Sequence, residues 1–274
     1  MPARGGGAKA RSAVGRIARP RRLLTQARAA GLLGMLAMGF VFTFVTGPTA
    51  FGLSRVDLPK LTWTDPAAVG AAMGLADGTN VFRLDTRPLE AAIQALPAVA
   101  SAQVSVGLPD AAITVRITER TPVLAWQVGS HRFLADANGI VFAEIPSTTA
   151  VPAGVAIVDD RRIGAADTLA IGTQLDPVDV DVATRLGSLT PADVGSAAKS
   201  LKLMVTEDDG FVLATSGGWT AVFGFYSPET RPTDMIPGQV ELLKSLLYNR
   251  ESSVTHVTLA STTGGTYIPK ATSH

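Results

Sequence analysis

The feature that most constrains this chain is a stretch from residue 29 to residue 54 that carries no charged side chain. It includes Leu32, Leu33, Met35, Leu36, Met38, Phe40, Val41, Phe42, Phe44 and Val45. A bilayer core is crossed by roughly 20 apolar residues at about 1.5 Å of rise each. The stretch therefore predicts a transmembrane helix over residues 29–53.

The charges on the two sides of this stretch predict its orientation. Residues 1–28 contain eight Lys or Arg and no acid, and their Gly, Ala and Arg content is typical of a disordered tail. Cationic flanks stay in the cytoplasm, so the rest of the chain is expected outside it, at the cell (inner) membrane. From residue 55 onward there are 16 Lys or Arg and 23 Asp or Glu. That net charge of −7 makes nucleic-acid binding a poor hypothesis.

A cleaved signal peptide is the alternative interpretation of the apolar stretch. Its apolar core would normally run over about 7–15 residues and end at small residues. Here the run is longer, and the best candidate end, Pro48-Thr49-Ala50, places proline where a small residue is required. These features favour an uncleaved, single-pass anchor.

The segment from residue 54 to residue 122 predicts one compact unit. A strand is expected near Ser54–Pro59, and Asp65-Pro66 and Asp85–Pro88 have the pattern of two helix starts. Apolar residues then alternate with polar ones on both sides of Pro109-Asp110, which predicts a β-hairpin. The expected order is strand, helix, helix, strand, strand, with both helices on one face of a three-stranded sheet.

A second unit is expected over residues 123–268, followed by a short tail, 269–274. Its predicted helix starts are Asp176-Pro177 and Thr190-Pro191, and a later helix carries Ile236, Val240, Leu243 and Leu247 on one face. Predicted strands are Arg132–Ala135, Ile140–Ala143, Leu201–Thr206, Phe211–Thr215, Trp219–Tyr226, Val254–Ala260 and Thr266–Ile268. The overall fold class is α+β, with a mixed α/β second domain built on an antiparallel sheet.

The residues do not form a convincing catalytic or metal-binding set. There is no cysteine, and His131, His256 and His274 are not paired at ligand spacing. Asp136-Ala137-Asn138-Gly139 indicates a turn, because the other ligands of a calcium loop are missing. Ser196 and Lys199 match the S-x-x-K of serine acyl-enzymes, but the accompanying S-D-N and K-T-G elements are absent. We therefore expect no enzyme activity and no cofactor.

Recognition through a sheet edge is the function that remains. A strand with an unpaired edge can bind an extended peptide by strand addition. Val254–Ala260 is the best candidate from the sequence, although it could equally be an internal strand paired on both sides.

Four ordered motifs resemble the FtsQ/DivIB family of bacterial cell-division proteins. They are Gly78-Thr79-Asn80-Val81-Phe82-Arg83-Leu84-Asp85, Leu96-Pro97-Ala98-Val99-Ala100-Ser101-Ala102, Ile117-Thr118-Glu119-Arg120-Thr121-Pro122-Val123 and Asp136-Ala137-Asn138-Gly139-Ile140-Val141-Phe142. The resemblance implies a cytoplasmic tail, one membrane helix, a POTRA domain over residues 54–122 and an FtsQ-type β domain over residues 123–268.

The resemblance also implies a function and a set of partners. It suggests a non-enzymatic divisome scaffold at the division septum that binds FtsB-like and FtsL-like proteins and helps control septal peptidoglycan synthesis. The implied partner-binding residues are Val257, Thr258, Leu259, Ala260, Ser261 and Tyr267, although Thr258, Ala260 and Ser261 depart from the family's pattern. The alternatives are a POTRA-bearing translocation or envelope-assembly factor, and an exported hydrolase that uses Ser196 and Lys199.

Overall fold

The computed structural model describes residues 26–46, 51–107 and 110–271. Four predicted features therefore lie outside the described residues, wholly or in part. They are the cytoplasmic tail up to residue 25, the segment 47–50 of the predicted span, the turn residues 108–109 and the final residues 272–274.

The apolar stretch begins in a helix, α1, which runs over Gln26–Thr46. Within the described ranges, no helix satisfies the combined length and apolarity that a membrane crossing requires. The single-pass anchor therefore stays a prediction. Its expected end at residue 53 is too late, because Phe51 lies in a turn at φ 59° and Gly52 forms a bridge with Asn80. These contacts tie residues 51–53 to the first unit instead of to the helix.

The first unit has the order strand, helix, helix, strand, strand that the sequence predicts. Its elements are β1 (Arg55–Asp57), α2 (Pro66–Met73), α3 (Thr86–Gln94), β2 (Val99–Gly107) and β3 (Ala112–Glu119), with a single 3-10 turn at Val81–Arg83. The sheet order is β1-β3-β2, in which β1 runs parallel to β3 and β2 runs antiparallel to it.

Side-chain caps explain where the two helices of this unit begin. The Asp65 carboxylate accepts a hydrogen bond from the Ala67 N–H at 2.9 Å, and Asp85 accepts one from Arg87 at 3.1 Å. Each cap satisfies a backbone donor that has no partner within its own helix. The helices then bury Val69, Met73, Leu89 and Ile93 against the inner face of the sheet.

The second unit is built on one nine-stranded sheet in the order β12-β11-β10-β9-β8-β7-β4-β5-β6. The strands are β4 (Leu124–Val128), β5 (His131–Ala135), β6 (Val141–Pro146), β7 (Ala156–Asp160), β8 (Leu201–Thr206), β9 (Gly210–Thr215), β10 (Thr220–Gly224), β11 (Val254–Leu259) and β12 (Gly265–Pro269). The helices are α4 (Ala165–Thr168), α5 (Pro177–Gly187) and α6 (Ile236–Leu247).

This sheet is mixed, which corrects the expectation of an antiparallel one. The pairs β4–β7, β7–β8 and β10–β11 are parallel, and the other neighbours are antiparallel. Parallel neighbours need a long crossover, usually a helix. Helix α5 lies in the connection from β7 to β8, and helix α6 lies in the connection from β10 to β11. The predicted stripe of α6, Ile236, Val240, Leu243 and Leu247, is buried in the resulting core.

Two predicted elements of the second unit differ from the structure: one predicted helix is absent and one predicted strand is shorter. The expected helix start at Thr190 is wrong, because the segment forms a single turn that Gly195 closes at φ 66°. The expected capping bond is nevertheless present, since the Thr190 N–H donates to Asp193 at 2.7 Å. The strand expected to reach Tyr226 ends at Gly224, where a β-bulge at φ 85° breaks the pairing with β9.

Two consecutive residues at the end of β3 fix the segment before α2 and the junction between the two units. Glu119 accepts hydrogen bonds from the N–H groups of Thr62, Trp63 and Thr64 at 2.7–2.8 Å. Arg120 donates from Nε to the Pro97 carbonyl at 2.8 Å and from Nη1 to Asp136 at 2.6 Å. Glu119 thus holds the segment before α2, and Arg120 ties the first unit to the β5–β6 turn of the second.

An apolar contact accompanies this polar junction. Trp63 of the first unit meets Phe142 of the second edge to face, with ring centroids 6.2 Å apart. Ala98 packs in the same cluster with Ala125 and Leu134. The first unit therefore covers the β4–β6 end of the sheet on the face opposite α5 and α6.

We predict that Glu119→Gln flattens the acid dependence of stability. Partial burial opposes ionisation, but the three N–H donors outweigh it and hold the pKa of Glu119 below its ordinary value of 4.5. A carboxylate with a lowered pKa stabilises the fold above about pH 4.5, and this stabilisation is lost as the pH falls through the lower, folded-state pKa. Gln keeps one acceptor and places an amide donor against the N–H groups, which should cost about 1–2 kcal/mol near neutral pH for a partly exposed site.

The measurement is the thermal unfolding midpoint of the detergent-solubilised chain at a series of pH values from about 7 to 3. The unmutated chain should lose more stability than Glu119→Gln below about pH 4.5. Parallel curves for the two chains would contradict the assigned role of the carboxylate.

Candidate functional site

The structure decides between the two interpretations of the strand that begins at Val254. β11 is internal, since it pairs in parallel with β10 and antiparallel with β12. Val257 is 0% exposed and Leu259 is 1% exposed, and both lie in the core beneath α6. β11 therefore presents no free edge. A charged residue at Val257 would therefore disrupt the core.

The residues after β11 shape the connection to the last strand. The N–H groups of Ala260 and Ser261 both donate to the Gly264 carbonyl, at 2.9 and 3.0 Å. The Ser261 hydroxyl accepts hydrogen bonds from the N–H groups of Thr263 and Gly264. Ala260 and Ser261 thus fix a tight turn that returns the chain as β12.

β12 forms one end of the nine-stranded sheet, and its outward backbone groups can be assigned. Lys270 N–H donates to the Ser253 carbonyl at 2.7 Å, and the Gly264 carbonyl accepts from Ala260, so both residues point toward β11. Backbone groups alternate in direction along an antiparallel strand. Those of Gly265, Tyr267 and Pro269 consequently face away from β11. Because proline has no N–H, Tyr267 is the central outward residue that offers both a donor and an acceptor.

The side chains around this edge combine apolar and cationic character. Tyr267 is 40% exposed, and the Arg250 guanidinium lies 5.7 Å from its ring centroid. On the other face of β12, Ile268 is 57% exposed. Gly265 lies so close to Leu242 and Leu246 of α6 that an added Cβ would approach them to 3.1–3.2 Å. We refer to β12 with Tyr267, Leu242 and Leu246 as the β12 edge.

A buried polar cluster fixes the end of β11 and so positions this edge. The Leu259 carbonyl accepts hydrogen bonds from Arg231 and, at 3.2 Å, from the Gln239 amide. The Tyr226 hydroxyl donates to the side-chain oxygen Oε1 of Gln239 at 2.6 Å. Burial of the Tyr226 hydroxyl raises the pKa of Tyr226. Sequence reasoning missed Arg231 and Gln239, because no local pattern links them to a strand 20 or more residues away.

The remaining candidate residues occupy structural positions. His256 Nδ1 lies 2.9 Å from the Thr220 hydroxyl on the neighbouring strand, and His131 Nδ1 lies 2.6 Å from Glu144 at the surface. The Asp136 side chain accepts from the N–H groups of Asn138 and Ile140 at 2.9 Å, which closes the predicted turn. His274 lies outside the described residues. The described segments contain no group of three or more His, Cys, Asp or Glu that could hold a metal ion.

Ser196, the serine of the S-x-x-K pattern, is hydrogen-bonded to a carboxylate. Ser196 Oγ donates to Glu251, which also accepts from the Ala197 N–H and the Trp219 indole N–H, both at 2.9 Å. Partial burial opposes ionisation of Glu251, but these donors lower the pKa of the carboxyl. Glu251 therefore clamps the Ser196 loop to Trp219, and the serine hydroxyl is engaged as a donor there.

Comparisons with known proteins agree with this architecture. Residues 51–120 match the family model of the POTRA domain, FtsQ-type, which spans the first unit from Phe51 to the end of β3. The chain is 29% identical over 170 residues to the cell division protein FtsQ of Chloroflexus aggregans, a match that covers 59% of this chain and 60% of the relative. These matches identify the first unit as a POTRA domain of the FtsQ type and support assignment of the chain to the FtsQ/DivIB family.

Other FtsQ relatives extend the similarity into the second unit. The FtsQ of Streptomyces coelicolor is 29% identical over 216 residues, which covers 75% of this chain and 76% of that protein. The FtsQ of Mycobacteroides abscessus is 30% identical over 142 residues, 51% of this chain and 42% of that protein. The chain thus spans less than two thirds of the Chloroflexus and Mycobacteroides relatives it matches, and the FtsQ similarity includes residues beyond the POTRA domain.

We predict that truncating a side chain on β11 destabilises the protein far more than truncating one on β12. Leu259→Ala should destabilise the protein by about 2–5 kcal/mol, because it leaves a cavity in the core. Ile268→Ala, on the exposed strand, should change stability by less than about 0.5 kcal/mol. Urea unfolding followed by tryptophan fluorescence measures both. A small effect of Leu259→Ala would show that β11 is not integrated into the core.

Proposed function

We propose that the chain is a non-enzymatic, single-pass membrane scaffold of the divisome. In this role it binds FtsB-like and FtsL-like partners outside the cytoplasm, at the division septum, and helps control septal peptidoglycan synthesis. Its FtsQ-type POTRA domain and the name of its relatives, cell division protein FtsQ, support the general role. The observation that carries the binding function is the exposed β12 edge, which the structure leaves without a neighbouring strand in the described residues.

The membrane anchor rests on the sequence around α1. Residues 29–54 carry no charge, and the tail before them carries eight cations. The large apolar side chains of α1 from Leu32 to Phe42 are more than half exposed. Lipid acyl chains would cover such side chains, and the cationic flank would hold the N-terminus in the cytoplasm.

The proposed binding mode is strand addition to β12. An extended partner segment would exchange backbone hydrogen bonds with the outward groups of Tyr267 and Gly265, as other strand-addition complexes do. Its side chains on the α6 face would contact the Tyr267 ring. Pro269 removes the next outward donor, so the edge accepts a short segment in a restricted register and is less prone to uncontrolled pairing.

Tyr267→Pro tests this mode directly. The substitution removes an outward N–H and leaves the hydrogen bonds between β12 and β11 in place, since proline is tolerated on an edge strand when its nitrogen faces outward. We expect partner affinity to fall by about tenfold or more, equivalent to about 1.4 kcal/mol or greater, with a nearly unchanged unfolding midpoint. Binding is measured by pull-down and titration with the FtsB-like and FtsL-like coiled-coil partners of the same cell.

The matched control is Ile268→Pro, which removes a donor that points into the sheet. This variant should lower stability and binding together, whereas Tyr267→Pro should lower binding alone. Tyr267→Ala separates the ring from the backbone, since it keeps the outward N–H. Full binding by a folded Tyr267→Pro chain would exclude strand addition at β12.

Depletion in the source cell tests the division role independently of the binding mode. We expect a fluorescent fusion to concentrate at the septum and depleted cells to grow as filaments, because septal synthesis would lose its scaffold. Time-lapse microscopy with a membrane stain measures both outcomes. Uniform fluorescence around the envelope and normal division on depletion would exclude a divisome role and favour an envelope-assembly factor.

A further inference from the structure

The segment that follows the apolar helix is hydrogen-bonded to one loop of the POTRA domain. The Leu53 N–H donates to the Thr79 carbonyl at 2.8 Å, and the Val81 N–H donates to the Phe51 carbonyl at 3.0 Å. Gly52 bridges Asn80 between these two bonds. Residues 51–53 are therefore fixed to the domain and cannot act as a free linker.

The same loop lies beside the apolar helix. The 3-10 turn Val81–Arg83 contacts α1, and only residues 47–50 separate the end of α1 from Phe51. Four residues span at most about 17 Å between the flanking Cα atoms. Any surface of the 3-10 turn that points away from the domain core is consequently held close to the point where the chain leaves α1.

Two aromatic side chains occupy that surface. Phe82 is 50% exposed and Phe51 is 37% exposed, and their ring centroids lie 6.3 Å apart. Phe51 adopts φ 59°, a left-handed conformation that is costly for a bulky residue. The neighbouring hydrogen bonds hold it there, so the ring is presented outward and is not absorbed into the core that Val81 enters.

We infer that the Phe51–Phe82 pair inserts into the interface of the outer face of the membrane and holds the POTRA domain against the lipid surface. The inference rests on the proposed membrane anchor, which brings the pair to the bilayer. Aromatic and apolar side chains partition into the boundary between headgroups and acyl chains. The occupant of this exposed patch is therefore the lipid in which the adjoining helix is embedded.

The local charges indicate which part of the lipid matters. Asp77 and Asp85 balance Arg83 and Arg87 in the same stretch, which leaves no net charge. Attraction to anionic headgroups would need an excess of cations. Contact through this patch should therefore depend on ring insertion, and it should be similar for zwitterionic and anionic lipids.

The test uses the full chain reconstituted into phosphatidylcholine vesicles. Phe82→Trp places a fluorophore in the patch, and brominated lipids with bromine near the headgroup end of the acyl chain quench it on contact. Tyr248→Trp is the matched control, because Tyr248 is an exposed aromatic residue of the second unit, at the C-terminal end of α6. The signal of the three native tryptophans is subtracted with the unmutated chain. We expect quenching of the Phe82→Trp signal to exceed that of the control by about twofold or more.

Equal quenching of the two variants overturns the inference, as does quenching that appears only when anionic lipid is added. Phe51→Trp provides a second probe of the same patch if Phe82→Trp does not fold. Extraction of the vesicles with alkaline carbonate separates the two proposals. Loss of the chain from the membrane contradicts the anchor, whereas a retained chain with an unquenched patch contradicts the aromatic contact alone.

Discussion

The pairing of Arg120 with Asp136 is the interaction on which the arrangement of the two units depends. Both side chains are largely buried, and Asp136 also closes the β5–β6 turn through the N–H groups of Asn138 and Ile140. Arg120 also donates to the Pro97 carbonyl, so one guanidinium connects the loop between α3 and β2, the end of β3 and the second sheet. A buried charge without its partner is strongly unfavourable, which makes these groups mutually dependent. By holding these segments together, the ion pair fixes the position of the POTRA domain on the β domain.

The two ends of the large sheet differ in what covers them. The POTRA domain covers the β4–β6 end of the large sheet through Trp63 and Phe142, and β12 closes the opposite end without a further strand in the described residues. Helix α6 connects β10 to β11 in parallel, and the short hairpin after Leu259 adds β12 outside β11. Arg231 and Gln239 fix the Leu259 carbonyl and so hold this hairpin in place. The candidate binding edge is therefore supported by a buried polar cluster that lies beneath it.

Most of the elements could be predicted from local sequence patterns, because helix caps and strand alternation depend on residues that lie close together in the chain. Asp65-Pro66, Asp85 and Asp176 were sufficient to locate three helix starts, since a cap satisfies donors within its own first turn. The alternation on both sides of Pro109-Asp110 predicted the β2–β3 pair and its buried face. Thr190 shows the limit of this reasoning. Its capping bond with Asp193 forms, but Gly195 ends the segment after one turn, so a correct local signal did not become a helix.

The sequence by itself determined the order of the elements in the first unit, the buried faces of β2, β3 and α6 and, through motifs such as Glu119-Arg120-Thr121-Pro122, the resemblance to the FtsQ/DivIB family. Only the tertiary structure decided which strand forms the edge. Val257 and Leu259 would look the same in an edge strand and in an internal one, because the alternation of a strand describes its faces and not its neighbours. Their position became internal when the α6 crossover placed β11 beside β10 and the hairpin added β12 beyond it. Those pairings join residues that lie far apart in the chain, and for that reason the exposed backbone of Tyr267 could not be identified from local sequence.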